Sequence, residues 1–288
     1  MEANYCIIYN PLSGNKNCAN RAKDLGERLG ISECVDMTAI ESYEDFFNAH
    51  KNVKIIICGG DGTLNRFIND ILGVSFDNSI YFYPSGSGND FFRDIEKSAE
   101  EPVCIDEYIK ELPVCTVGDK EFKFINGIGY GIDGYCCEEG DRLRLESDKP
   151  IDYTKIAIKG LLFHYKPTSA KVTVDGVVHE FKKVWIAPTM LGRYYGGGMM
   201  PTPAQNRFNE NGELSVMIFH DTSSIQTLMI FPSIFKGEHI KKEKKVTVLT
   251  GKEITVEFSE PRPLQIDGET ITGVKSYTAR SAKVLAKV

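Results

Sequence analysis

No stretch of this 288-residue sequence reaches the roughly 18 apolar residues that a membrane-spanning helix needs. The opening MEANYCIIYN has no basic region ahead of its short apolar run, so no secretory leader is expected and the chain reads as cytoplasmic. Neither GxGxxG nor GxxxxGK[ST] occurs, which leaves the usual dinucleotide and P-loop readings with little support; NPLSGNK (10–16) comes nearest to the second, with the wrong spacing. Eight cysteines are present, but no CxxC pairs with another or with histidines, and the five histidines fall in no metal or triad spacing. Buried, reduced thiols are expected rather than zinc. Repeats and low-complexity linkers are also missing.

What is present fits a soluble globular protein of about two domains, with 42% hydrophobic and 26% charged residues. The net charge of −6 is unevenly spread. Residues 1–120 carry 11 Lys+Arg against 20 Asp+Glu, giving −9, and the remainder carries 23 against 20, giving +3. An acidic front half argues against nucleic acid as a partner. The densest basic run is IKKEKK (240–245), a solvated loop or a membrane-surface patch.

Two textures follow one another along the chain. YCIIY (5–9), VKIIIC (53–58) and IYFY (80–83) are short apolar runs, as buried parallel strands should be. Helical patterns separate them, with Ala22, Leu25 and Leu29 on one face and Leu64, Phe67, Ile68, Ile71 and Leu72 on another. From about residue 114 the pattern becomes alternating. KVTVDGVVHEF (171–181) is two strands joined by Asp175-Gly176, and KVWIAP (183–188), ELSVMIF (213–219), VTVLT (246–250), EITVEF (253–258) and PLQI (263–266) read as further strands. Helices are expected at 151–163 and 224–235. The fold class is therefore α/β plus β: a Rossmann-like front domain and a mainly antiparallel, sandwich-like second domain with a cleft between.

Gly59, Gly60 and Gly62 surround Asp61 where an apolar strand turns into a helix. A turn needs one or two glycines, so three imply a close approach to the backbone. A phosphate fits, because amides without a neighbouring Cβ can turn toward an anion and the helix adds its positive end. Asp61 would repel phosphate directly, so a Mg²⁺ between them is expected. NPLSGN, GGDGTLN and PSGSGND each follow a strand, and parallel strands gather such loops at one sheet edge.

In this order NPLSG (10–14), GGDGTLN (59–65), PSGSGND (84–90), FINGIGYGID (124–133), YYGGGMMPTPAQNRFNENGELSV (194–216) and QIDGE (265–269) span nearly the whole chain. Together they resemble the diacylglycerol kinase catalytic-domain family of lipid kinases, whose relatives include sphingosine and ceramide kinases. The resemblance implies a nucleotide-binding domain over 1–117, rejoined by about 276–288, and a lipid-substrate domain over 118–275. It implies ATP and Mg²⁺, and a cytoplasmic enzyme peripheral to the inner face of the membrane that converts diacylglycerol to phosphatidic acid. Nucleotide contacts then fall on Asn10, Pro11, Leu12, Ser13, Gly14, Thr38, Gly59, Gly60, Asp61, Gly62, Thr63, Leu64, Asn65 and Ser87. Glu269 becomes the general base within the Asp267-Gly268-Glu269 signature, with Asp61 and Asp90 in the Mg²⁺ and water network. A structural Mg²⁺ would use Asn211 and main-chain oxygens of Phe208 and Glu213, although Asn211 replaces an expected aspartate. Asn15 stands where a lysine is common, with Lys16 one step on. A sphingoid or ceramide acceptor, an NAD kinase or 6-phosphofructokinase, which also use a GGDG turn, and a degenerate lipid-binding regulator remain alternatives.

Overall fold

The computed structural model describes residues 4–11, 17–86, 88–146 and 151–285. The chain divides into two compact units, the first ending at Glu111 and the second starting at Leu112. The first contains β1 (Tyr5–Tyr9), α1 (Cys18–Leu29), β2 (Cys34–Asp36), α2 (Tyr43–Ala49), β3 (Lys54–Gly59), α3 (Asp61–Asp70), β4 (Ile80–Pro84), α4 (Asp90–Asp94), β5 (Val103–Cys104) and α5 (Asp106–Ile109). Its sheet order is β2-β1-β3-β4-β5, with β5 antiparallel to β4 and the other pairs parallel. The centres of β1 and β3 are buried on both faces, which is why they read as unbroken apolar runs. Ile7 and Ile56 pack with Cys18, Ala22 and Leu25 of α1. Leu29 and Leu72 were expected on buried faces but are 40% and 44% exposed. Each lies at or beyond the end of its helix, and α1 is closed by Gly30 in the left-handed conformation.

The second unit contains β6 (Val114–Val117), β7 (Lys120–Lys123), β8 (Gly127–Tyr130), α6 (Ile132–Glu146), α7 (Tyr153–Lys159), β9 (Thr168–Val174), β10 (Val177–Val184), β11 (Thr189–Met190), β12 (Leu214–Phe219), α8 (Ser224–Ile230), β13 (Val246–Gly251), β14 (Glu253–Ile266), β15 (Glu269–Arg280) and α9 (Ala282–Leu285). One strand path runs β13-β12-β11-β8-β14-β15-β6-β7, and β9 joins it through β14 while pairing β10 on its other side. Every pairing in this sheet is antiparallel. In β12, alternate residues enter two cores: Leu214, Val216 and Ile218 pack in one, Met217 and Phe219 in the other. The period of two in the sequence thus marks a strand covered on both sides.

Several expectations are corrected. EITVEF and PLQI form one strand, β14, with register shifts between Glu257 and Leu264, rather than two. Of KVWIAP, only Lys183 and Val184 extend β10, and Ile186 makes isolated bridges to Gly131 and Phe219. Helix α6 was not anticipated; Gly134 and Gly140 interrupt its sequence signal, yet both are required by close neighbours, Pro263 O and the Tyr153 ring. The first domain was expected to reach 117 and to be rejoined by 276–288. Instead Val114–Val117 is a strand of the second sheet, and Thr278–Arg280 pair with it there; residues 286–288 lie outside the described residues.

Candidate active site

In the first unit the parallel strands β1, β3 and β4 deliver three loops to one sheet edge. Asn10 and Pro11 of the first loop are described; Leu12, Ser13 and Gly14 lie outside the described residues, as does Ser87 of the third. The second and third loops touch. The Gly59 carbonyl accepts the Ser85 N–H at 2.7 Å. A Cβ on Gly86 would lie 2.6 Å from Gly60 Cα, and one on Gly59 would lie 2.4 Å from Thr63 Cβ. Gly60 is extended, with φ −98°. The glycines at 59 and 60 therefore serve close approach rather than a left-handed turn: the Thr63 side chain comes near Gly59, and the Gly86 backbone comes near Gly60.

Asp61 opens α3 and reaches across to α4. Its Oδ2 accepts the Asp90 N–H at 2.8 Å and its Oδ1 the Phe91 N–H at 3.1 Å. These are amides that a helix start leaves without an internal partner. Gly62 and Thr63 complete the first turn of α3, Leu64 is fully buried, and Asn65 accepts from the Asn69 side chain at 3.3 Å. Asp90 is buried, with the Arg93 guanidinium 3.7 Å from Oδ1. Between the loops, Thr63 Oγ1 and Asn89 Oδ1 are buried polar atoms with no partner among the described residues, and Asn89 holds a left-handed conformation at φ 51°. Non-glycine residues in that region cluster at functional sites. Thr38 is exposed, and both its N–H and its hydroxyl donate to Asp36 Oδ1. Phe91 and Phe92 are buried and pack around Phe82, so they are core rather than pocket wall.

In the second unit Asp267 and Gly268, at φ 47° and 100°, form a two-residue hairpin between paired Ile266 and Glu269. The Asp267 carboxylate does more than turn the chain. It accepts backbone N–H groups of Ile125 at 2.6 Å, Asn126 at 2.9 Å and Gly127 at 2.9 Å, while its own N–H donates to Gly127 O. Gly268 N–H donates to Gln265 Oε1 at 2.6 Å, and Gln265 Nε2 donates to Asp133 Oδ2 at 3.0 Å. Glu269 is exposed at the start of β15. Next along the strand, Thr270 donates to Asp141 Oδ2 at 2.7 Å.

Asp133 closes the FINGIGYGID motif but was not among the residues expected at a site. Burial pushes its carboxyl up to about 6. A Cβ on Gly129 would fall 1.4 Å from Asp133 Oδ2, so the glycine spacing makes room for this acid. The legible signal was an acidic residue closing an otherwise apolar, glycine-spaced run.

The loop holding Phe208, Asn211 and Glu213 closes on itself. The Glu213 carbonyl accepts both Gln205 Nε2 and Asn209 Nδ2 at 2.8 Å, and its N–H donates to Asn209 Oδ1. The Lys283 ammonium donates to the Glu210 carbonyl, and its stem fills the space beside Gly212. With that carbonyl saturated, Asn211 neutral and an ammonium at the loop, the residues do not fit a divalent cation. A cavity of about 380 Å³ is lined in part by Gln205, Asn209, Glu213 and Ser215; neither Asp133 nor Glu269 lines it.

The cysteines are free, and five of the eight are buried; burial pushes the Cys6 thiol up to about 12. Cys6, Glu33 and His50 place donor atoms within 4.8 Å of one another, a grouping that chain spacing hides. Both His50 nitrogens are engaged there, with Phe46 O at 2.7 Å and Glu33 Oε1 at 3.1 Å, which accounts for the arrangement. Among the described residues no helix is long and apolar enough to cross a membrane.

Residues 4–115 match the family described as diacylglycerol kinase catalytic domain, and 126–284 match that described as YegS C-terminal NAD kinase beta sandwich-like domain. A Bacillus subtilis protein named diacylglycerol kinase is 24% identical over 281 residues, covering 91% of this chain and 88% of its own. A Mycobacterium tuberculosis protein of the same name is 24% identical over 211 residues, 70% of this chain and 66% of that one. A crystal structure from Bacillus anthracis titled as a diacylglycerol kinase superposes with a TM-score of 0.57 at 17% identity, covering 97% and 95% of the two chains; it shares the fold.

Proposed function

This chain belongs to the diacylglycerol kinase family with a YegS-type second domain, and we propose that it transfers the γ-phosphoryl group of ATP to a lipid hydroxyl, with diacylglycerol the acceptor and phosphatidic acid the product. The observation that carries the reading is the paired-loop cradle in which Gly60 and Gly86 meet and the buried Thr63 and Asn89 oxygens await partners. Beside the N-terminus of α3, the Thr63 hydroxyl can donate to a phosphate oxygen, while the Asn89 amide oxygen, an acceptor, suits the counter-ion or its water. Asp61 keeps lone pairs beyond its two backbone bonds, so Asp61 and Asp90 fit a nucleotide-borne Mg²⁺, which when bound supplies charge neutralisation of the phosphates.

Phosphoryl transfer asks the protein chiefly for position and charge. In this reading the loop residues Asn10 to Gly14, Gly59 to Asn65 and Ser87 hold the phosphates, with Thr38 a further nucleotide contact. The Glu269 carboxylate orients the acceptor hydroxyl and takes its proton, as a positioned general base does. Asp267 acts as a positioning residue: bound by three amides, it fixes the turn from which Glu269 projects. The enzyme would work as a peripheral protein at the cytoplasmic face of a membrane.

The test is transfer of labelled phosphate from ATP to diacylglycerol, sphingosine, ceramide and NAD offered in parallel. Label in phosphatidic acid supports the reading. Label only in NAD, or in no acceptor, overturns it.

A further inference from the structure

Between Thr222 and Phe235 no residue is ionisable, yet this segment is not simply core. Thr227 and Ile234 are buried, while Ile225, Met229, Pro232 and Phe235, spaced as one helical face, are exposed. Ile225 and Met229 are 67% and 77% exposed. Ser223 caps α8 through a reciprocal bond pair with Gln226, so the exposed face belongs to a well-started helix that runs on into the 3₁₀ turn Phe231–Lys236. Its neighbour repeats the arrangement. Helix α7 continues as a π turn over Gly160–His164, which packs against α8. Ile156, Ala157 and Leu161 are buried there, and Ile158, Leu162 and Phe163 are exposed, Phe163 by 74%. Apolar residues therefore cover the outer as well as the inner side of both helices.

The surrounding charge is mostly positive, although Asp152, which caps α7, pairs with Lys155 at 3.3 Å, and Asp221 and Glu243 flank the second segment. Segments 153–166 and 222–242 carry six lysines (155, 159, 166, 236, 241 and 242), all exposed, and one acid, Glu238. Six minus one is +5, in a chain whose net charge is −6. Exposed apolar side chains accompanied by an excess of lysines are the composition of helices that lie in the interface of an anionic bilayer. A second copy of this chain is a poor occupant, since a two-fold contact would set each lysine cluster against its own copy.

We propose that the outer face of α7, its π turn, α8 and the following 3₁₀ turn docks the protein onto an anionic lipid surface. Of IKKEKK, read as a solvated loop or a membrane-surface patch, Lys241 and Lys242 fall within this segment, whereas Lys245 is tied to the Asp221 carbonyl. This inference rests on the lipid-kinase reading for its purpose, but it concerns binding and is measured without catalysis.

The experiment is flotation of the full chain with phosphatidylcholine vesicles, with and without phosphatidylglycerol, using wild type and the triple variant F163S, I225S, M229S. The expected result is wild-type binding that needs phosphatidylglycerol and weakens with salt, and a loss of about 10-fold per side chain in the variant, from the lost burial of each apolar group. Unchanged melting temperature and unchanged phosphorylation of a short-chain, water-soluble diacylglycerol show that the variant remains folded. Equal binding by wild type and variant overturns the proposal. So does wild-type dimerisation that the variant abolishes in the absence of any vesicle binding. Vesicle binding with no phosphoryl transfer to any lipid leaves this face standing and removes the kinase reading.

Discussion

The Asp61 carboxylate holds the first amide of α4, accepting the Asp90 N–H at 2.8 Å. With its second bond to Phe91 N–H, one side chain fixes the third loop relative to the second. The residue read from sequence as a metal ligand is thus also a structural brace, so its two roles cannot be removed separately by a neutral substitution.

Asp61→Asn should abolish turnover and also lower stability. An amide keeps one acceptor oxygen and turns an NH₂ toward the other N–H, at a cost of about 1–2 kcal/mol, comparable to losing a helix cap. Turnover and thermal melting measured on the same preparation check this. Wild-type melting would contradict the brace, and retained activity would contradict the metal role.

Asp133 gives a pH signature. Its ordinary value is 3.8 and burial raises it to about 6, so the folded state binds the proton more tightly than the unfolded one. Stability from this group is present at low pH, falls as pH rises through that window, and its cost is complete above about 6. Asp133→Asn keeps an oxygen for Gln265 Nε2 and removes the buried charge, so it should raise stability at neutral pH by up to ~3 kcal/mol. Denaturant unfolding from pH 4 to 7 should show variant and wild type diverging as pH rises. Parallel curves would contradict the buried-acid account.

The loop around Asn211 should ignore divalent cations. Without nucleotide, neither Mg²⁺ nor EDTA should move the melting temperature, because side chains already satisfy the Glu213 carbonyl. Lys283→Met should lower it by roughly 2–4 °C, the effect of losing about 1 kcal/mol in a unit of this size. A clear rise in melting temperature on adding Mg²⁺ would restore the metal reading.

Much of this was written in the chain, for physical reasons that particular residues show. YCIIY and the run ending in Cys58 are strands buried on two faces, so their lack of alternation was informative. Asp175-Gly176 makes the expected hairpin, with both residues at positive φ. Helix α6 was hidden because two of its glycines answer to distant neighbours, Pro263 and Tyr153, that no local pattern reveals. Strands 253–258 and 263–266 looked separate because Pro261 and Pro263 punctuate them, while the register shifts absorb the break. In the site, the glycine loops were legible as places of close approach, but the approaching groups were not: Thr63 of α3 folds back on Gly59, and Gly86 reaches Gly60 from the other loop. Asp133 needed the fold to bring Gln265 to it across 132 residues.

In the proposed reaction Glu269, presented by the amide-bound Asp267 hairpin, accepts the proton of the substrate hydroxyl. Glu269 is exposed, and Glu269→Gln preserves its size, so folding should be untouched. The decisive measurement is kcat for Glu269→Gln with diacylglycerol, alongside ATP affinity and melting temperature. A proton-accepting Glu269 requires kcat to fall about 10²–10⁴-fold with the other two nearly unchanged. A kcat equal to that of the wild type would contradict it.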